Sequence, residues 1–234
     1  LVTSGVSAQP LSRSQWATAR WLVLAPHADD ETIGAGALIA TAARRGRLAG
    51  VAFVTDGAGS HPHADGRSRA MLVALRRREA ERAMRRLAPA APAVTFLDWP
   101  DAAPPAEGEP AFERALSRLS AHCRRERVDA VAVTALHEPH CDHEAACRLA
   151  YALQKRAFLP LAVFEYLVWA DGPPDGSYRA LRTGVAPTGP RRLALAAHRS
   201  QTTPLEGEGF RLPTRHFKSP PFDLLYVRSA AHGG

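Results

Sequence analysis

The sequence predicts a single-domain α/β fold on a mostly parallel sheet, and three observations carry that prediction. Short apolar runs alternate with longer stretches of helical character from residue 20 onward. Two of the runs, Trp21–Ala25 and Val128–Thr134, read as buried strands. Each is followed by a polar cluster: Pro26-His27-Ala28-Asp29-Asp30-Glu31 after the first, His137-Glu138-Pro139-His140-Cys141-Asp142-His143 after the second. Parallel strands end at one edge, and open α/β sheets bind ligands at that carboxyl edge.

The elements follow in order. Residues 1–19 read as a polar lead-in and 20–234 as the domain, with no repeat or linker to divide it. A first strand falls at 20–25. Thr32–Arg45 is helical and stops at Gly46, the residue type suited to the left-handed position past a helix end. Val51–Thr55 is the second strand, leaving through Asp56-Gly57. A loop at 58–67 carries His61 and His63, and an H-x-H pair in a loop does not by itself make a metal site. Arg69–Leu87 places Arg and Glu at helical spacing, and Val94–Leu97 is the third strand. The Ala/Pro/Glu-rich stretch 102–110 is a surface loop. A helix at Phe112–Arg125, a strand at 128–134 and a helix at Glu144–Phe158 come next, the last stopped by Pro160. Ala162–Trp169 is a strand, Gly172–Gly176 a turn and Arg191–Gln201 a helix. Residues 202–221 are irregular and Pro-rich, and Asp223–Val227 is the final strand.

Composition narrows the function classes. The chain has 234 residues, 46% hydrophobic and 23% charged, the balance of a globular domain with a sizeable core. No apolar run approaches the ~20 residues of a membrane span. Leu1–Gln15 lacks a basic patch followed by an apolar core, so no signal peptide is expected. The net charge of +7 invites a nucleic-acid reading. Yet Lys155 and Lys218 are the only lysines, and the arginines are scattered along several helices without aromatic interleaving. No nucleic-acid partner is expected; an anionic or phosphorylated substrate is the more economical use of the charge. Cys123, Cys141 and Cys147 form neither C-x-x-C nor an even set, so a reducing, cytoplasmic setting is the default. Gly34-Ala35-Gly36 is not a dinucleotide fingerprint, because it lies inside the first helix.

The two clusters have the composition of a mononuclear metal hydrolase. His27 and Asp30, three apart at a strand-to-helix turn, can reach one metal and leave Asp29 free for proton transfer. His143 offers a third ligand, with His140 near the metal but not on it. Three protein ligands leave a catalytic zinc an open position. The plain alternative is helix capping, since acids in a first helical turn also suit the helix dipole. Two such clusters after two buried strands favour the metal.

These residues resemble the PIG-L/LmbE family of zinc-dependent de-N-acetylases. The clusters match its A-H-P-D-D-E and H-x-D-H signatures. Val54-Thr55-Asp56-Gly57, the pair Arg76 and Glu79, the segment Leu97–Asp101 and His198-Arg199-Ser200-Gln201 add support over about residues 20–202. The resemblance implies a Rossmann-like three-layer sandwich. It implies zinc, or another divalent ion such as Fe2+, held by His27, Asp30 and His143. Asp29 becomes the general base and His140 the group stabilising the oxyanion. Arg76 and Asp101 contact substrate, and Asp142 orients His140 or a ligand. The implied reaction is removal of an N-acetyl group from an N-acetylglucosamine-type sugar or glycoconjugate. A metal-dependent hydrolase of a non-sugar amide, or of a phosphoester, is the alternative enzyme; a nucleic-acid-binding domain with a vestigial metal site is the non-enzymatic one. Ala28 and Cys141 stand where the family has proline. Cys141 is expected not to be a ligand.

Overall fold

The computed structural model describes residues 8–62, 65–173, 176–204 and 207–229. His63 therefore lies outside the described residues. The chain forms one eight-stranded sheet in the order β1-β7-β8-β6-β5-β2-β3-β4. The strands are β1 (Gln9–Pro10), β2 (Trp21–Ala25), β3 (Leu48–Thr55), β4 (Thr95–Trp99), β5 (Ala130–Thr134), β6 (Ala162–Tyr166), β7 (Tyr178–Arg182) and β8 (Leu224–Arg228). Only β8 runs against the rest: it is antiparallel to both β6 and β7, and the other pairings are parallel.

The helices are α1 (Asp30–Arg44), α2 (Gly66–Leu87), α3 (Pro110–Glu126), α4 (Cys141–Arg156), α5 (Thr188–Leu195) and α6 (Arg199–Thr202). Alternation along the strands sorts the core into two layers. Trp21, Val23, Ala25, Val51 and Phe53 pack with Leu38, Ile39, Ala83, Met84 and Leu195 of α1, α2 and α5. Leu22, Leu24, Ala52 and Val54 pack on the opposite face with Phe112, Leu119, Leu149 and Leu153 of α3 and α4. This is the expected three-layer sandwich. No helix among the described residues is long and apolar enough to cross a membrane.

The chain builds β2, β3 and β4 outward, then returns to lay β5 on the other side of β2. That reversal opens a crevice beyond the carboxyl ends of β2 and β5, where both polar clusters emerge.

Several boundaries differ from expectation. Both helices after the clusters start earlier than the apolar pattern suggests, α1 at Asp30 and α4 at Cys141. Asp30, Asp142 and His143 thus sit in first helical turns. The helix expected at 191–201 is two, α5 and α6, separated at Ala196–His198. Strand β7 was hidden by Arg179 and Arg182, which interrupt its apolar pattern and reach over Trp16 and Phe222. Within the lead-in, Gln9 and Pro10 pair with β7 and extend the sheet.

Helix α1 is kinked at Ala35 (φ −128°, ψ 15°). Arg191 and Asp223 serve the backbone around the kink. Arg191 donates to the Thr32 carbonyl at 2.8 Å and to that of Ile33, and Asp223 accepts the Leu38 amide at 2.8 Å. The two side chains meet each other at 2.9 Å while buried. Gly34 allows α1 to lie against β6: a Cβ there would overlap the Tyr166 ring and stand 3.0 Å from the Leu167 carbonyl. The Tyr166 hydroxyl is committed, donating to the Leu24 carbonyl at 2.8 Å. Gly34→Ala is expected to cost about 1–3 kcal/mol by overpacking, read as a lower urea midpoint at unchanged m-value.

Candidate metal centre

Strand β2 ends at Ala25, and the turn 26–29 delivers His27 and Asp30 into the crevice. The loop after β5 delivers His140, and the first turn of α4 delivers Asp142 and His143. His27 Nδ1 lies 3.2 Å from Asp30 Oδ2, and His143 Nε2 lies 3.3 Å from the same oxygen. Donor atoms of His27, Asp30 and His143 all fall within 4.8 Å of one another.

The fit of a metal to these residues is tested by the nitrogens of His143. The residue is fully buried, and neither ring nitrogen makes a hydrogen bond of good geometry, although each lies 3.3 Å from a carboxylate oxygen. Buried polar atoms are ordinarily satisfied. A nitrogen aimed at a carboxylate but misaligned for hydrogen bonding suits a cation held between the two. The two-His, one-carboxylate set suits zinc and several other divalent ions. A second set, His27, Asp101, His140 and Asp142, is equally close. Its atoms are already engaged: Asp142 Oδ2 accepts from Ala102 N and lies 2.9 Å from His27 Nε2, Asp101 accepts from Gly59 N, and His140 Nδ1 accepts from Asp142 N. The two sets share His27, and Asp30 Oδ2 of the first accepts from His27 N at 2.9 Å.

Outer contacts orient these side chains. Asp142 Oδ2 sits 2.9 Å from His27 Nε2 and 3.8 Å from His140 Nδ1, so His27 is its nearer imidazole, and the Nδ1 of His27 faces Asp30. Glu138 Oε2 lies 3.3 Å from His143 Nδ1. Glu138 is itself held by the amides of Val168, Trp169 and Ala170. Sequence reasoning quoted Glu138 without giving it a role; its signal was a carboxylate five residues before a ligand histidine, on the same loop.

Electrostatics favour positive charge here. Burial alone would lower the pKa of His27, but Asp101, Asp142 and Asp30 raise it well above the ordinary value. His143 is raised to about 9, Asp30 and Glu138 outweighing burial. Asp30 is held below the usual carboxylate range, its burial outweighed by His143 and His27. Asp29 moves the other way, to about 7, through burial and then the charge of Asp30.

Asp29 is the N-cap of α1 yet its carboxylate caps nothing, and it lines a pocket of about 250 Å³ with His27, Asp30, His140 and Trp169. His140 does cap its helix, with Nδ1 accepting from Asp142 N at 3.2 Å. Its pKa is lowered by burial and by His27. Arg76 and Asp101 line the same pocket, 3.9 Å apart. Both are partly committed to structure, Arg76 donating to the Gly57 carbonyl at 2.6 Å and Asp101 accepting from Gly59 N at 2.9 Å. Trp99 stacks on Phe112 in the core, and Trp169 lines the pocket.

Cys141 is exposed, with Sγ 3.6 Å from Asp142 Oδ1, and belongs to neither donor set. Cys141→Ala is expected to keep the metal stoichiometry of the parent; loss of bound metal from that variant would make the thiol a ligand.

The model of the GlcNAc-PI de-N-acetylase family, PIG-L, matches residues 22–153. Solved structures share the fold. An N,N'-diacetylchitobiose deacetylase from Pyrococcus horikoshii is 20% identical with a TM-score of 0.62, over 82% of this chain and 74% of that one. The zinc-inhibited form of teicoplanin deacetylase Orf2 is 19% identical with a TM-score of 0.65, over 92% of this chain and 100% of that one. A 4-carboxy-2-hydroxymuconate hydratase, GalB, from Pseudomonas putida KT2440 is 18% identical with a TM-score of 0.57, over 91% of this chain and 98% of that one. At such identities the likeness is one of fold. No curated protein matches the chain.

Proposed function

The chain belongs to the GlcNAc-PI de-N-acetylase family, and from that premise we propose that it removes the N-acetyl group from an N-acetylglucosamine-type sugar or glycoconjugate, with zinc held by His27, Asp30 and His143. One observation carries the reading: two members of a His₂Asp donor set within 4.8 Å, His27 and Asp30, line the same pocket as a buried carboxylate that caps no helix.

When bound, the cation supplies Lewis-acid chemistry, polarising an amide carbonyl and making water acidic enough to lose a proton near neutral pH. Asp29 accepts that proton at a carboxylate oxygen, and the amide nitrogen takes a proton from Asp29 or His140 as the C–N bond breaks, so that acetate and the free amine leave. His140 serves the developing oxyanion: Nδ1 is occupied by the Asp142 amide, so the ring proton sits on Nε2, where even the neutral imidazole can donate. Arg76 and Asp101, on the pocket wall, position the sugar.

The hydratase among the structural matches favours one rival, a different reaction on the same scaffold. Acetate release separates the two. Zinc-loaded protein is expected to liberate acetate from at least one of a panel comprising N-acetylglucosamine, N,N'-diacetylchitobiose and N-acetylglucosaminyl lipid, inositol and peptide conjugates. No acetate from any of them, with one metal bound per chain, would count against the sugar reading.

A further inference from the structure

We propose that Glu31 is a positioning residue that locks the base Asp29 into a strained backbone conformation, aiming its carboxylate into the pocket; this rests on the reading of Asp29 as the general base. Asp29 has φ 138° and ψ −30°, a region where an L side chain crowds its own backbone. Such a conformation persists only where its surroundings over-determine it.

Two of the contacts on Asp29 are ordinary for a helix start: Thr32 N and Ile33 N donate to its carbonyl at 3.0 and 2.9 Å. The third comes from a side chain two residues further on. Glu31 Oε2 reaches back and accepts the Asp29 amide at 2.9 Å. A capping box does the same from one residue further on. Here the other half of the box is missing, because the Asp29 carboxylate makes no capping bond. An N-cap Asp ordinarily turns its side chain onto the first helical amides. Held by its own amide instead, Asp29 leaves its carboxylate available to the reaction.

Glu31 is immobilised in turn. It is 0% exposed, and Oε1 accepts the Thr32 hydroxyl at 2.6 Å. His198 Nε2 stands 3.8 Å from the same oxygen. His198 precedes α6, whose Ser200 donates its amide and hydroxyl to Glu79 of α2 at 3.0 and 2.6 Å. His198 thereby stands behind Glu31, while Gln201 of the same stretch lines the pocket itself.

The test is a double-mutant cycle of Glu31→Ala and Asp29→Asn, read by acetate release and metal stoichiometry, with a crystal structure of Glu31→Ala beside it. Glu31→Ala is expected to lose about 10–10²-fold in kcat, the scale of a small misplacement. KM stays within about twofold and one metal stays bound. Glu31→Gln keeps a carbonyl acceptor and recovers most of the rate. On the Asp29→Asn background Glu31→Ala costs less than about threefold, since residues acting as a unit are non-additive. In the crystal, Asp29 relaxes to negative φ with its carboxylate on the α1 amides. Should the alanine variant not fold, the near-isosteric Glu31→Leu replaces it throughout. Retention of the positive φ, loss of metal, or an undiminished cost on the Asn background each overturns the proposal alone. An Asp29→Asn enzyme as fast as wild type overturns the base assignment as well.

Discussion

Asp29→Asn is expected to lower kcat by about 10²–10⁴-fold, the usual contribution of a general base, while leaving one metal bound per chain. The substitution keeps the size and shape of the side chain and removes its capacity to take a proton. Asp29 is 4% exposed and contributes to neither donor set, so the geometry of His27, Asp30 and His143 should survive. Removing the charge also relieves its repulsion with Asp30, one of the causes that raise the Asp29 pKa. Metal affinity is therefore expected to hold, and the loss to fall on the chemical step. Metal content by mass spectrometry and steady-state kinetics on the same preparation check both halves. Full activity with metal retained would remove Asp29 from the base role; loss of metal would make it a ligand.

His143→Ala is expected to abolish stoichiometric metal binding and, with it, activity. His143 is the one member of the His27, Asp30 and His143 set that comes from α4, so the remaining pair would span only the turn after β2. Two protein ligands seldom hold a catalytic zinc that normally takes three. The variant also removes the imidazole beside buried Glu138, which keeps its bonds from the amides of Val168, Trp169 and Ala170. Equilibrium dialysis against zinc separates these effects from simple unfolding when paired with far-ultraviolet circular dichroism. A folded variant that still binds one equivalent tightly would move the centre to the second set, His27, Asp101, His140 and Asp142.

The framework was legible in the chain because its signals are local. A central parallel strand must be apolar on both faces, so β2 and β5 stand out as runs, and the residues following them fall at the sheet edge. The elements that escaped had their signals overwritten by tertiary contacts. Strand β7 is stabilised by pairing with β1 and β8 despite its arginines. The kink in α1 depends on Arg191 and Asp223, more than 150 and 180 residues away along the chain. The split between α5 and α6 lies in a stretch whose composition reads as continuous helix.

At the centre itself, the sequence alone determined the kinds of donor and their spacing: His27 with Asp30 on one turn, His140 with His143 on another. These follow from residue types within a few positions of each other. It also determined that both turns follow buried strands, since apolar runs are visible without partners. Only the tertiary structure decided what each group answers to. The Asp142 carboxylate lies nearer His27 while its amide holds His140, Glu138 stands beside His143, and Glu31 lies between Asp29 and His198. The reason is physical: a local pattern encodes backbone geometry, whereas a hydrogen-bond partner is set by which elements the sheet order brings face to face. With β5 laid beside β2, two clusters more than a hundred residues apart share one pocket.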